Sequence, residues 1–111
     1  MKDTIKIGDI DVGMVANAAT PHVYKMIFHE DLFQKFNAAE QDLESMQKLG
    51  YVMAKQAETD KLSELMKFNE ESFYEWLIQF EFMDMMDALT AIVNLYQSQK
   101  KGTSVPKSAG G

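Results

Sequence analysis

A chain of 111 residues, 46% of them apolar, is long enough for one core and too apolar for disorder. It has no cysteine, which removes disulfides, thiolate metal sites and cysteine nucleophiles together, and all eleven of its basic residues are lysines against a net charge of −6. Nucleic acid is therefore a poor partner, and with no apolar run near the ~20 residues that span a bilayer a membrane is a poor one too. Asp3, Asp9 and Asp11 among short apolar stretches suit no leader peptide, so the expectation is a soluble cytoplasmic protein. A chain this short leaves roughly a third of its surface exposed on folding, which makes a homo-oligomer a natural state.

Ile5, Ile7, Ile10 and Val12 alternate on either side of Gly8-Asp9, which predicts two short strands over about residues 4–15 joined by a tight turn. A two-stranded ribbon is marginal alone, so its apolar face should lie on the helical body or on a neighbouring subunit. Thr20-Pro21 reads as a helix start, with the hydroxyl as cap and proline in the first turn, and the helix should run through Phe28. After the polar corner His29-Glu30-Asp31, Asp31 can cap a second helix.

Leu32, Phe36, Ala39, Leu43, Met46, Gly50, Met53 and Ala57 recur at alternating spacings of four and three, the seam of one long helix packing at a shallow angle on a partner. Gly50 within it marks either a bend or a close backbone contact. Glu58-Thr59-Asp60 ends the pattern, and Lys61 to Phe68 supplies a turn of helix or a loop. Asn69 followed by Glu70 and Glu71 is a cap with two acids in the first turn, leading a stripe of Phe73, Trp76, Leu77 and Phe80. Asp84 can cap a last helix carrying Met86, Leu89, Val93 and Tyr96, with Ile92 and Leu95 beside them and Lys100 and Lys101 at its negative end. The fold class is mainly α: a short N-terminal β-hairpin, then a bundle of about four helices, in one domain over residues 1–101. Residues 102–111 read as a flexible tail.

Catalytic chemistry has little to draw on. Glu81, Asp84 and Asp87 recur every three residues and could face one metal, but the Glu-x-x-Glu pair that all-α pyrophosphohydrolases also use is absent. His22 and His29 are the only histidines, two ligands at most, and there is no phosphate-binding glycine loop or nucleophile elbow. No enzyme, cofactor or metal is expected. Nine methionines are many for this length, and Met83, Met85 and Met86 cluster where two helices should meet; unbranched, polarisable side chains repack against differently shaped apolar partners. Trp76, Phe73 and Phe80 at helical spacing build core, whereas Tyr74 and Phe82 lie off that stripe and can anchor a partner. The candidate protein-binding residues are thus Tyr74, Phe82, Met83, Met85, Met86 and, on the long seam, Met53.

Three stretches resemble the tail assembly chaperones of long-tailed phages that infect Gram-positive bacteria. Thr20-Pro21, then Tyr24, Lys25, Phe28 and Asp31-Leu32, is similar to that family's opening, with His29 where glycine is usual. Tyr51-Val52-Met53-Ala54-Lys55-Gln56-Ala57 is similar to its most recognisable run. The third runs from Glu75-Trp76-Leu77 through Phe80 to Leu95-Tyr96 and the polar tail with Thr103-Ser104 and Lys107. The stretch between Phe36 and Tyr51 is shorter than is usual, and the chain ends in Ala109-Gly110-Gly111 instead of a lysine run, which leaves the helix count open.

The resemblance implies a protein made during tail morphogenesis in the cytoplasm of the infected host. It would coat and solubilise the apolar tape measure protein, help recruit tail tube subunits, and be absent from the mature virion. A ribosomal frameshift near the end of the reading frame would extend a fraction of copies. Two rivals stand beside it: a small acidic phage protein that blocks a host factor through Asp42, Glu44, Glu81 and Asp84, and a metal-dependent hydrolase using Glu81, Asp84 and Asp87.

Overall fold

The computed structural model describes the backbone of residues 2–37 and 42–104 and the side chains of 2–35 and 42–98. Strands β1 (Lys2–Ile7) and β2 (Ile10–Val15) form an antiparallel hairpin in which Ile5 faces Val12 and Ile7 faces Ile10. Gly8 opens the two-residue turn at φ +63°, while Asp9 keeps a negative φ, the combination of a II′ turn whose twist suits the strands. Ile5, Ile7 and Met14 are buried, and β2 packs along the third helix and β1 along the last. The hairpin thus covers its apolar face on its own helical body.

Among the described residues six helical segments follow: α1 (Thr20–Phe28), α2 (Leu32–Asn37), α3 (Leu43–Glu58), α4 (Leu62–Leu65), α5 (Glu70–Leu77) and α6 (Phe82–Ser104). α1 has the expected span, but Thr20 is its first residue and not its cap. The Thr20 hydroxyl turns inward, donates to Gln56 Oε1 at 2.8 Å and accepts the Asn17 N–H at 3.0 Å; Gln56 Nε2 returns to Asn17 Oδ1 at 3.1 Å. This closed network ties the start of α1 to α3 while satisfying buried polar groups. α1 ends at His29, left-handed at φ 59°, whose N–H bonds the Lys25 carbonyl. Asp31 then accepts the Phe33 N–H at 2.9 Å, as expected of a cap for α2.

The single long helix predicted from Leu32 to Ala57 is two helices. α2 is described as far as Asn37, and α3 starts only after Asp42, whose backbone is extended at ψ 150° and whose carboxylate accepts the Ser45 N–H. Ala39 lies outside the described residues, as does the Phe36 side chain. The seam reading also understates α3, in which every residue from Lys48 to Ala54 is buried. A helix surrounded on all sides has no single stripe: the hairpin, α1, α5 and α6 pack around it. Gly50 marks close contact and not a bend, since a β-carbon there would lie 2.9 Å from Ile92 Cδ1 on α6.

Asp84 falls in the first turn of α6, two residues inside the helix, and does not cap it; a β-carbon at Gly8 would come within 2.5 Å of its Oδ2, so it sits against the hairpin turn. α6 continues to Ser104, past Gly102 where the tail was expected to begin, and residues 105–111 lie outside the described residues together with the side chains of Lys100 and Lys101. No helix among the described residues is long and apolar enough to cross a membrane.

Candidate protein-binding site

α5 is fixed at both ends of its inner face. Asn69 and Ser72 form a reciprocal capping box, the Asn69 carboxamide oxygen accepting the Ser72 N–H and the Ser72 hydroxyl accepting the Asn69 N–H. The Tyr51 hydroxyl donates to the same Ser72 oxygen at 2.7 Å, so the cap is anchored on α3. Tyr51 is also the centre of an aromatic cluster, with ring centroids 5.5 Å from Phe73 and Trp76 and 6.1 Å from Phe28 and Phe68. These edge-on contacts hold Phe73 and Trp76 inward. The helical period then forces Tyr74 and Ile78 outward.

Past the turn at residues 78–81, α6 repeats the division. Met85, Ala88, Leu89 and Ile92 point into the core, and Phe82 and Met83 do not. Tyr74, Ile78, Phe82 and Met83 are 61–64% exposed, four large apolar side chains along α5, the turn after it and the start of α6. A shallow groove runs between the elements, walled by Tyr74, Ile78 and Phe82, with Leu77, Phe80 and Met85 along it and the polar Gln47 of α3 at one side. Exposed apolar side chains gathered around a groove, and not scattered singly, are what a partner site requires.

Of the residues singled out from sequence, Tyr74, Phe82 and Met83 lie on this surface, and Met86 is half-buried beside it. Met85 is 2% exposed and forms floor, not surface. Met53 is fully buried in α3 and offers nothing to a partner, because the middle of that helix, Lys48 to Ala54, is covered on every side. Ile78 was missed. Its signal was present: it lies four residues after Tyr74 and off the stripe of Phe73, Trp76, Leu77 and Phe80.

The titratable groups are used for packing. Burial raises the Tyr24, Tyr51 and Tyr96 hydroxyls above the usual phenol range. Lys48, only 4% exposed, reaches Glu30 at 3.3 Å, Glu70 at 3.7 Å and Glu44 at 3.8 Å while lying over the Phe28 ring, and so joins the α1–α2 corner, α3 and the start of α5. Among the described residues no three His, Asp or Glu side chains come together in a way that could hold a metal ion. Glu81 and Asp87 are exposed, Asp84 is turned to the hairpin, and His22 and His29 are both exposed.

Comparison of the chain with protein-family models, with curated proteins and with solved structures gave no match.

Proposed function

We propose that this chain is a tail assembly chaperone of a long-tailed phage, a binder and not an enzyme, which holds the tape measure protein soluble in the host cytoplasm and helps bring tail tube subunits to it. The observation that carries the reading is the exposed apolar surface of Tyr74, Ile78 and Phe82 on the α5–α6 groove, with exposed Met83 next to Phe82 in the chain. An apolar groove of this kind accepts the apolar face of an amphipathic helix, and a methionine at its floor, Met85, lets the same groove take helices of different shape. Many copies along one long helical client would bury its apolar surface and present carboxylates to water, keeping the assembly dispersed. Tube subunits competing for the client would release the chaperone by mass action.

The residues of the resemblance give further support, because its three stretches pack on one another. Thr20 of the first is hydrogen-bonded to Gln56 of the second, and Phe28 of the first and Trp76 of the third both meet Tyr51 of the second. Lys55 of the central run covers the Tyr51 and Phe68 rings at 5.5 and 5.0 Å. The run Tyr51 to Ala57 therefore builds the fold that presents the groove, and the client meets side chains outside it.

Co-expression with a fragment of a tape measure protein tests the reading. The fragment is expected to remain soluble and to elute with this chain as a high-mass species. A fragment that precipitates while this chain stays a folded monomer would replace the chaperone reading with that of a protein blocking a host factor.

A further inference from the structure

Charge in this chain is distributed very unevenly, and the uneven part coincides with the groove. No lysine occurs between Lys67 and Lys100, whereas six carboxylates do: Glu70, Glu71, Glu75, Glu81, Asp84 and Asp87. In the remainder of the chain eleven carboxylates and eleven lysines cancel, so the whole formal charge of −6 belongs to α5, the turn after it and the first turns of α6. Glu70 is drawn back to Lys48, and Asp84 is half-buried at the hairpin turn. The other four are exposed, and among the described residues none of them is in an ion pair.

Their spacing borders the apolar side chains. Glu71 lies three residues before Tyr74 and Glu75 three before Ile78, neighbours on the α5 surface, and Glu81 adjoins Phe82; Asp87 lies away from the groove, in a hollow between α6 and β1 beside Asp3 and Lys6. Like charges left unpaired around an apolar groove repel one another until a cation enters among them, and they repel an anionic partner at the same distance.

We infer that the α5–α6 groove selects its client by charge: it takes an amphipathic helix whose apolar face is bordered by lysine or arginine, and rejects the same apolar face bordered by acids. The inference rests on the chaperone reading, in which the tape measure protein supplies the helix. It gives that reading a rule for where on a long helical client the chaperone docks, since apolar surface alone marks no position while basic borders do. The same rim disfavours a second copy as the occupant, because two such faces brought together would oppose six exposed carboxylates, Glu71, Glu75 and Glu81 of each copy, with no cation between them. Any self-association would have to use another face.

The test uses the full chain and two synthetic helical peptides with one apolar face in common, one flanked by lysine and one by glutamate, titrated at about 0.1 M and about 1 M salt, between which the screening length falls from about 10 to about 3 Å. The lysine-flanked peptide is expected to bind at least about tenfold more tightly at low salt, with the gap narrowing at high salt. Glu75→Lys with Glu81→Lys, both at exposed positions, should reverse the preference, and Phe82→Asp should weaken both peptides. Equal affinities, tighter binding of the glutamate-flanked peptide, or a preference that survives the double reversal would each overturn charge selection. So would failure of both peptides to bind. A tape measure fragment kept soluble in co-expression while the two peptides bind alike would overturn only this inference; a fragment that precipitates would overturn the chaperone reading itself.

Discussion

Ile92 on α6 closes directly over Gly50 on α3, so that a β-carbon at position 50 would lie 2.9 Å from Ile92 Cδ1 and 3.5 Å from both of its γ-carbons. Ile92 is fully buried and has no room to retreat. Overpacking a core costs about 1–3 kcal/mol, against a gain of about 1 kcal/mol when alanine replaces glycine in a helix. Gly50→Ala should therefore lower stability by about 1 kcal/mol in urea denaturation. Ile92→Val, itself worth about 1 kcal/mol, removes the atom in conflict, and in that background Gly50→Ala should be neutral or stabilising. Additive costs in the double variant would mean the two helices are not in this contact.

His29 ends α1 in the left-handed region at φ 59°, where a β-carbon is unfavourable. His29→Gly should stabilise the protein by about 1 kcal/mol. His29→Val, β-branched, should destabilise it. Thermal unfolding of both variants checks the sign.

Asp42 caps α3 by accepting the Ser45 N–H at 2.6 Å, and that hydrogen bond holds its carboxyl below the ordinary value of 3.8. The contribution of a depressed carboxyl is complete above its unfolded value and is lost as pH falls through the lower, folded one. Asp42→Ala should cost about 1 kcal/mol near neutral pH. The gap from the parent protein should shrink as the solution is acidified below 3.8. A gap that stays constant with pH would show that the carboxylate is not the group acting.

Phe82→Asp and Tyr74→Asp replace exposed side chains and should change stability by no more than about 0.5 kcal/mol, leaving the circular dichroism spectrum intact while abolishing co-purification with a tape measure fragment. Met85→Asp, at the groove floor, should instead unfold the chain, because it buries an unpaired charge. Undiminished co-purification with folded Phe82→Asp protein would move the client to another surface.

The elements with local signals were legible in the sequence: alternation and Gly8-Asp9 for the hairpin, Pro21 for α1, Asn69 for α5. The break between α2 and α3 was not, because Leu32 to Ala57 keeps a helical spacing across it, and spacing reports a shared face without reporting that one helix makes it. Residue type alone makes Thr20 and Asp84 look like caps. Their side chains instead answer tertiary partners, Gln56 and the turn at Gly8, which no local pattern encodes. The surface was legible in part, through Tyr74 and Phe82 lying off the stripe of their neighbours. Met53 and Met85 could not be separated from Met83 by composition, since burial depends on which faces of α3 and α6 other elements cover.

The proposed client site on α5 and the start of α6 is tested by hydrogen–deuterium exchange of the full chain with and without a bound tape measure fragment. Added protection is expected over Tyr74 to Met86, with the hairpin and the buried middle of α3 unchanged. Protection confined to the hairpin or to α1, with residues 74–86 exchanging as in the free protein, would contradict it.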